Sequence, residues 1–330
     1  MSLHQLTAQY LQQLDPTHLT FPPPSTLIHP DAQSAIYNRM FNQSTAWPLP
    51  PVSYRIRVLK ALIPQIEEGI TDPDEDELNS DLLEEWTNLI SLPKPSQIQQ
   101  AQQLTFIKYT APTSPPAPTA EPKTVITSES RGLIYAAGTT GFRTWEASLH
   151  LGTYLSTPTG AAHVNGKRVI ELGAGTGFVS MFVAKYLQPQ FVLATDREGA
   201  LIGNMKECKG RNELGAEFNV GAWEWGTPLE YPGGDNTEIV EKEDLTFDVA
   251  LGADLVRCFV PSSSSGSVAN AEQLCRPTTP ICCLSSLPLL RTFLITTMSK
   301  NSFSQLPYAI KTPSRPSWTP VQATTSRPNV

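Results

Sequence analysis

The stretch Val169-Ile170-Glu171-Leu172-Gly173-Ala174-Gly175-Thr176-Gly177-Phe178 decides the fold of this chain. A short apolar strand runs into a glycine-rich turn, and an apolar helix is predicted over residues 178–187. This order places the turn at the C-terminal edge of a parallel sheet, where such folds bind ligands. Gly173 and Gly175 let the backbone approach a ligand whose space a side chain would occupy. The spacing separates ligand classes. A dinucleotide loop follows GxGxxG, whereas Gly177 comes four positions after Gly173 and Phe178 occupies the next place. The turn also lacks the Lys-Ser/Thr of a phosphate-binding P-loop. Glu171, two residues ahead of the glycines, suits a ligand with a positive amino-acid end better than a pyrophosphate.

The alternation continues outward from this turn. Residues 191–195 read as a strand, 200–212 as a helix, and 217–220 and 247–252 as further strands. A helix over 144–155 precedes the first strand, 168–172, with Trp145, Leu149 and Leu151 as its apolar residues. Strands and helices of these lengths in alternation imply an α/β fold, a parallel sheet covered by helices. Asp196 ends the second strand, where a carboxylate can accept from both hydroxyls of a ribose. The same residue is a favoured cap for the next helix, and the two roles are compatible.

Residues 1–95 read differently, as a small helical domain without visible chemistry. Leu3, Leu6, Tyr10, Leu11 and Leu14 recur at helical spacing, and helices are also predicted over 31–41, 54–66 and 74–90. The acidic run Asp72-Pro73-Asp74-Glu75-Asp76-Glu77 suits the start of the last, because carboxylates there meet the positive end of the helix dipole. The α/β domain is predicted over 104–256. Its short strands at 104–109 and 124–127 flank an extended Pro/Ala/Thr-rich insertion, residues 111–122.

A net charge of −7 over 330 residues argues against a nucleic-acid binder that works by bulk charge. No apolar run reaches the ~18–20 residues of a membrane span. The N-terminus lacks a signal peptide's basic start and apolar centre, so a soluble intracellular protein is expected. Cys208, Cys258, Cys275, Cys282 and Cys283 form no CxxC pair and have no histidine at zinc spacing; neither a metal site nor a disulfide framework is expected. His150 and His163 have no catalytic partner in the pattern and read as structural or surface residues.

Glu171-Leu172-Gly173-Ala174-Gly175-Thr176-Gly177 resembles the first motif of the seven-stranded S-adenosylmethionine-dependent methyltransferases. The upstream stretch from Ser130-Arg131-Gly132 through Gly138-Thr139-Thr140-Gly141-Phe142-Arg143-Thr144-Trp145-Glu146-Ala147 narrows the resemblance. It is similar to the opening segment of the eukaryotic elongation factor 2 lysine methyltransferases, non-histone protein-lysine methyltransferases of the seven-stranded fold. That family also carries a Trp-Gly after the third strand, an Ala-Asp after the fourth, and a helical N-terminal domain. The resemblance spans about residues 1–256. It implies a Rossmann-like sheet preceded by a helical domain, S-adenosylmethionine as methyl donor and elongation factor 2 as the protein substrate. It further implies a cytoplasmic location with no direct nucleic-acid or membrane partner.

Carried over by position, the resemblance places Trp145 beside the methionine end of the donor and lines its main chain with Gly173, Ala174 and Gly175. Asp196 takes the ribose, and Trp225 of Trp223-Glu224-Trp225-Gly226 lies against the adenine, with Trp223 as the competing candidate. Ala253 contacts the donor through its backbone, and Asp254 begins an acidic-x-x-aromatic motif beside the target lysine. The implied reaction is direct in-line displacement by a neutral lysine amine, in which the enzyme mainly aligns donor and acceptor. Such a reaction requires no Ser/His/Asp or Cys/His constellation. The donor motifs alone also admit a small-molecule N-methyltransferase, such as one acting on nicotinamide, or an inactive binding module.

The sequence departs from the family at one place. The motif that begins at Asp254 has Arg257 where the family has an aromatic residue, and a guanidinium there disfavours an approaching ammonium. Residues 257–330 hold seven basic residues against the single Glu272, so residues 1–256 carry −13. Ser, Thr and Pro supply 31 of those 74 residues, and only 286–297 reads as an apolar element. The sheet is therefore expected to be incomplete after its fourth strand. Motif break, charge reversal and composition change coincide, which points to a lost reading frame or a retained intron near codon 256.

Overall fold

A computed structural model describes residues 3–111, 121–132, 139–225, 227, 229, 246–255 and 293–297. The N-terminal part is helical: α1 (Leu3–Leu11), α2 (Pro24–Leu27), α3 (Pro30–Ile36), α4 (Val52–Glu67), α5 (Ser80–Ser91) and α6 (Gln97–Gln102). A π-helical turn, Tyr37–Phe41, continues α3. The apolar spacing of α1 and α4 turns Leu6, Tyr10, Val58, Leu59 and Leu62 into one core with Phe41 and Leu82, all fully buried. None of the helices among the described residues is long and apolar enough to cross a membrane.

The acidic run does not open α5 as its composition suggests. The Asp76 carboxylate turns back and accepts from the Thr71 and Asp72 amides at 2.9 and 3.0 Å. The helix begins only at Ser80, where the Asn79 side chain accepts from the Asp81 and Leu82 amides. A short acidic side chain that bonds its own loop competes with the helix, and here the loop wins.

Two strands, β1 (Thr105–Thr110) and β2 (Thr124–Glu129), pair antiparallel, with Thr105 opposite Glu129. Most of the insertion between them, residues 112–120, lies outside the described residues. Then come α7 (Glu146–Leu155), α8 (Pro158–Ala161), β3 (Arg168–Leu172), α9 (Phe178–Tyr186), β4 (Phe191–Asp196), α10 (Gly199–Arg211), β5 (Phe218–Ala222) and β6 (Val249–Ala253). The last four strands lie parallel in the order β5-β4-β3-β6. Val169, Val192, Val249 and Leu251 are buried against Val179, Phe182 and Val183 of α9, which explains the unbroken apolar runs of these strands.

The strand order positions the site. From β3 the chain moves outward to β4 and β5, then crosses back to lay β6 on the other side of β3. Connections diverge at this switch point and leave a crevice beyond the C-terminal ends of β3 and β6. A fifth strand, β7 (Phe293–Thr297), comes from the apolar stretch 286–297 and pairs antiparallel with β6, Ala253 opposite Phe293. Arg257 and the rest of the Ser/Thr/Pro-rich region lie outside the described residues, and the reading-frame expectation falls on them.

Candidate active site

The turn between β3 and α9 is built on positive backbone angles. Gly173 has φ +60° and Gly175 φ +55°, a region that disfavours any residue with a Cβ. A Cβ on Gly173 would lie 3.3 Å from Leu255 Cδ2 and 3.4 Å from Trp225 Cζ2. A Cβ on Gly175 would lie 3.1 Å from the Gly141 carbonyl oxygen. The first glycine thus lies close to the Trp225 indole and Leu255, and the second is packed against the Gly141 turn from upstream. The two glycine-rich stretches that stand apart in the sequence form one surface in the fold.

Asp196, half-buried at the end of β4, holds this surface in place. Its Oδ2 accepts from the Gly175 amide at 2.9 Å, and its Oδ1 accepts from the Arg197 and Glu198 amides at 2.7 and 3.3 Å. It therefore braces both the glycine turn and the start of α10, and its Oδ2, with one bond made, keeps a lone pair for a further donor. Ala174 donates its amide to the Thr195 carbonyl at 2.9 Å. Ala253, buried, ends β6, and the exposed Asp254 follows with φ +55°, a left-handed conformation that an aspartate tolerates better than most residues.

The two tryptophans after β5 separate cleanly. Trp223 is buried in the core and donates its indole N–H to the Thr227 carbonyl at 3.0 Å. Trp225 is the one that lies against Gly173. Trp145 precedes α7, donating its indole N–H to the Thr140 carbonyl at 3.1 Å, and the Arg143 guanidinium carbon sits 5.0 Å from its ring centroid. A hydrogen bond of 2.7 Å between the Thr144 and Thr176 hydroxyls ties this segment to the glycine turn. Gly141 and Leu255 belong to the same surface although neither is expected from the sequence to line the site. The GTTG turn hints at the first, and only the fold exposes the second.

Glu171 behaves differently from the sequence reading. It is buried, and its Oε2 accepts from the Ser180 amide at 2.9 Å and from the Ser180 hydroxyl, so it faces the first turn of α9. Gly177 at the cap position has no side chain to offer the helix, and Glu171 supplies the missing acceptor. Burial pushes its carboxyl up to about 7, against the downward pull of the Ser180 bonds. His150 is exposed, and His163 meets the Tyr154 hydroxyl at 3.1 Å on the outside of α7 and α8.

A family model described as Lysine methyltransferase matches residues 135–268, which include every one of these site residues. Protein-lysine N-methyltransferase EFM3 of Chaetomium thermophilum is 36% identical over 251 residues, covering 74% of this chain and 73% of that protein. The chain belongs to the lysine methyltransferase family. It is an S-adenosylmethionine-dependent protein-lysine N-methyltransferase, and its acceptor is a protein. EFM3 of Saccharomyces cerevisiae is 29% identical over 206 residues, covering 56% of this methyltransferase and 55% of that protein. Protein N-lysine methyltransferase METTL21A of Danio rerio is 37% identical over 118 residues, 34% of this chain and 46% of that one. The residues present fit such a donor: side-chain-free backbone at Gly173, the Trp225 indole beside it, and at the adjoining strand end a carboxylate whose Oδ2 accepts a single bond.

Proposed function

We propose that this methyltransferase modifies a lysine of elongation factor 2, in the cytoplasm, with residues 104–256 carrying the reaction and residues 1–95 forming a helical domain. The choice of acceptor rests on the resemblance carried by the Gly138–Ala147 stretch and on the similarity to the EFM3 proteins. The single observation that carries the site is the convergence of Gly173, Trp225 and Leu255 where the glycine turn leaves β3.

Bound S-adenosylmethionine supplies a methyl group activated by a sulfonium. The chain's own residues bind and align. Asp196 accepts from the ribose hydroxyls while it continues to hold Gly175. Trp225 offers its plane to the adenine, since an aromatic face suits a flat base. Gly173, Ala174, Gly175 and Ala253 present main chain to the donor, and Trp145 flanks its methionine end. Asp254, exposed at the end of β6, draws in the lysine ammonium, which gives its proton to solvent so that the neutral amine is the group aligned with the donor. Alignment of this kind lowers a barrier by up to about 7–11 kcal/mol without a covalent enzyme intermediate.

The test uses the intact protein with methyl-labelled S-adenosylmethionine and three acceptors offered separately: elongation factor 2, a histone mixture and nicotinamide. Label confined to elongation factor 2 is the expected result. Label in nicotinamide, or in histones alone, would overturn the choice of substrate.

A further inference from the structure

A buried carboxylate outside the donor surface governs the side chain that closes the glycine turn. Glu129, at the end of β2, is fully buried and accepts five hydrogen bonds. Its Oε1 takes the hydroxyls of Tyr109, Thr127 and Thr144 at 2.9, 2.7 and 2.7 Å. Its Oε2 takes the Thr144 amide at 3.2 Å and Arg131 Nε at 3.4 Å. Burial and the Glu129 charge push the Tyr109 phenol well above its ordinary range, so it keeps the proton that it donates.

These bonds fix a direction. The Thr144 hydroxyl has one proton, and its bond to Glu129 Oε1 uses it. The 2.7 Å bond between Thr144 and Thr176 must then run from Thr176 to Thr144. The proton order Thr176 to Thr144 to Glu129 pins a side chain of the glycine turn, and the adjacent Thr144 amide pins the segment that leads into Trp145. At the other end, Arg131 Nη1 donates to the Gln12 and Gln13 carbonyls, at 2.7 and 3.2 Å, where α1 ends. Arg131 Nη2 meets the Tyr109 hydroxyl at 2.7 Å. One polar network thus runs from the first helix to the donor turn.

We propose that Glu129 is a positioning residue for methyl transfer, setting the geometry of the Gly173–Gly177 turn and of Trp145 through Thr144. Through Arg131 it makes the docking of α1 part of donor binding. The inference rests on the reading of the turn as the donor site, and the experiment keeps the two apart.

The affinity of the intact protein for S-adenosylmethionine is measured by calorimetry, together with KM for donor and for protein substrate and the melting temperature. Wild-type protein that fails to bind the donor would remove the site reading, and this inference with it. With wild-type binding in hand, Glu129→Gln and Thr144→Val are expected to raise the donor Kd and donor KM about tenfold, as loss of one buried charge-assisted hydrogen bond implies. The KM for protein substrate stays unchanged. Thr144→Ser, which keeps the hydroxyl, restores donor affinity, and Arg131→Met shifts it in the same direction by less. Leu62→Ala, in the helical core, lowers the melting temperature without changing donor affinity. Donor binding at the wild-type level in Glu129→Gln and Thr144→Val overturns the proposal, as does an equal loss in Leu62→Ala. If Glu129→Gln does not fold, the Thr144→Val and Thr144→Ser pair decides.

Discussion

In the helical unit Arg55 Nη1 meets Glu85 Oε1 at 2.8 Å between α4 and α5, and both side chains are largely buried. In the α/β unit Arg131 Nε meets Glu129 Oε2 at 3.4 Å, with the carboxylate fully buried. The surroundings of the two pairs differ more than the pairs do. Arg55 Nε has no hydrogen-bond partner, and burial raises the Glu85 carboxyl above its ordinary value despite Arg55 beside it. Glu129 is surrounded by donors that lead to the glycine turn. A buried charge in the first region holds two helices together at a desolvation cost that its partner does not fully offset. In the second region it orders a ligand-binding loop, a task an apolar substitute cannot perform.

The largest expected effect lies in the α/β unit. Asp196→Ala removes the acceptor of the Gly175 amide and the proposed ribose contact together. Donor affinity should fall about a hundred- to a thousandfold, which corresponds to roughly 3–4 kcal/mol. Calorimetry on the folded variant measures it, and an unchanged affinity would move the donor site elsewhere. The helical unit should answer in the opposite currency. Leu62→Ala opens a cavity in a fully buried core and should cost about 2–5 kcal/mol in denaturant unfolding. Its donor KM should equal the wild-type value.

A third effect depends on pH. The Glu171 carboxyl is held at about 7 in the folded chain, against 4.5 for an ordinary glutamate. Between those values the folded chain keeps a proton that the unfolded chain has lost, so stability falls as pH rises through this window and levels off above it. Glu171→Gln should lack that fall, a difference of roughly 3 kcal/mol between pH 4.5 and 7. Parallel stability profiles for the two proteins would show that Glu171 titrates normally. The smallest expected effect returns to the first ion pair. Arg55→Met combined with Glu85→Leu should leave stability within about 1 kcal/mol of wild type, whereas Glu85→Gln alone should destabilise by more.

What the sequence discloses and what it hides follow the range of the interactions. The elements around Gly173 are legible because local signals agree: apolar strand, glycines, apolar helix. The observed strands and helices from Arg168 to Arg211 lie within a residue of those expected. Asp196 is legible by its place at a strand end. The start of α5 is not, because the choice between capping a helix and bonding a loop depends on where Thr71 and Asp72 lie relative to Asp76. Glu171 is misleading because its partner, Ser180, is one of several polar or amide groups it could reach. The Glu129 network is invisible, since it joins residues 12, 109, 129, 144 and 176, and only β1–β2 pairing and the packing of α1 bring them together. In the sequence Glu129 is one polar residue between two serines.

The most direct test of lysine methyl transfer from this glycine surface is a single comparison by mass spectrometry. Elongation factor 2 is incubated with S-adenosylmethionine and either the intact wild-type protein or its Asp196→Ala variant. Methylation at a defined lysine with wild type, and loss of that modification with the variant, is the expected result. Equal methylation by both proteins would contradict the donor site, and no methylation by a wild-type protein that binds the donor would contradict the substrate.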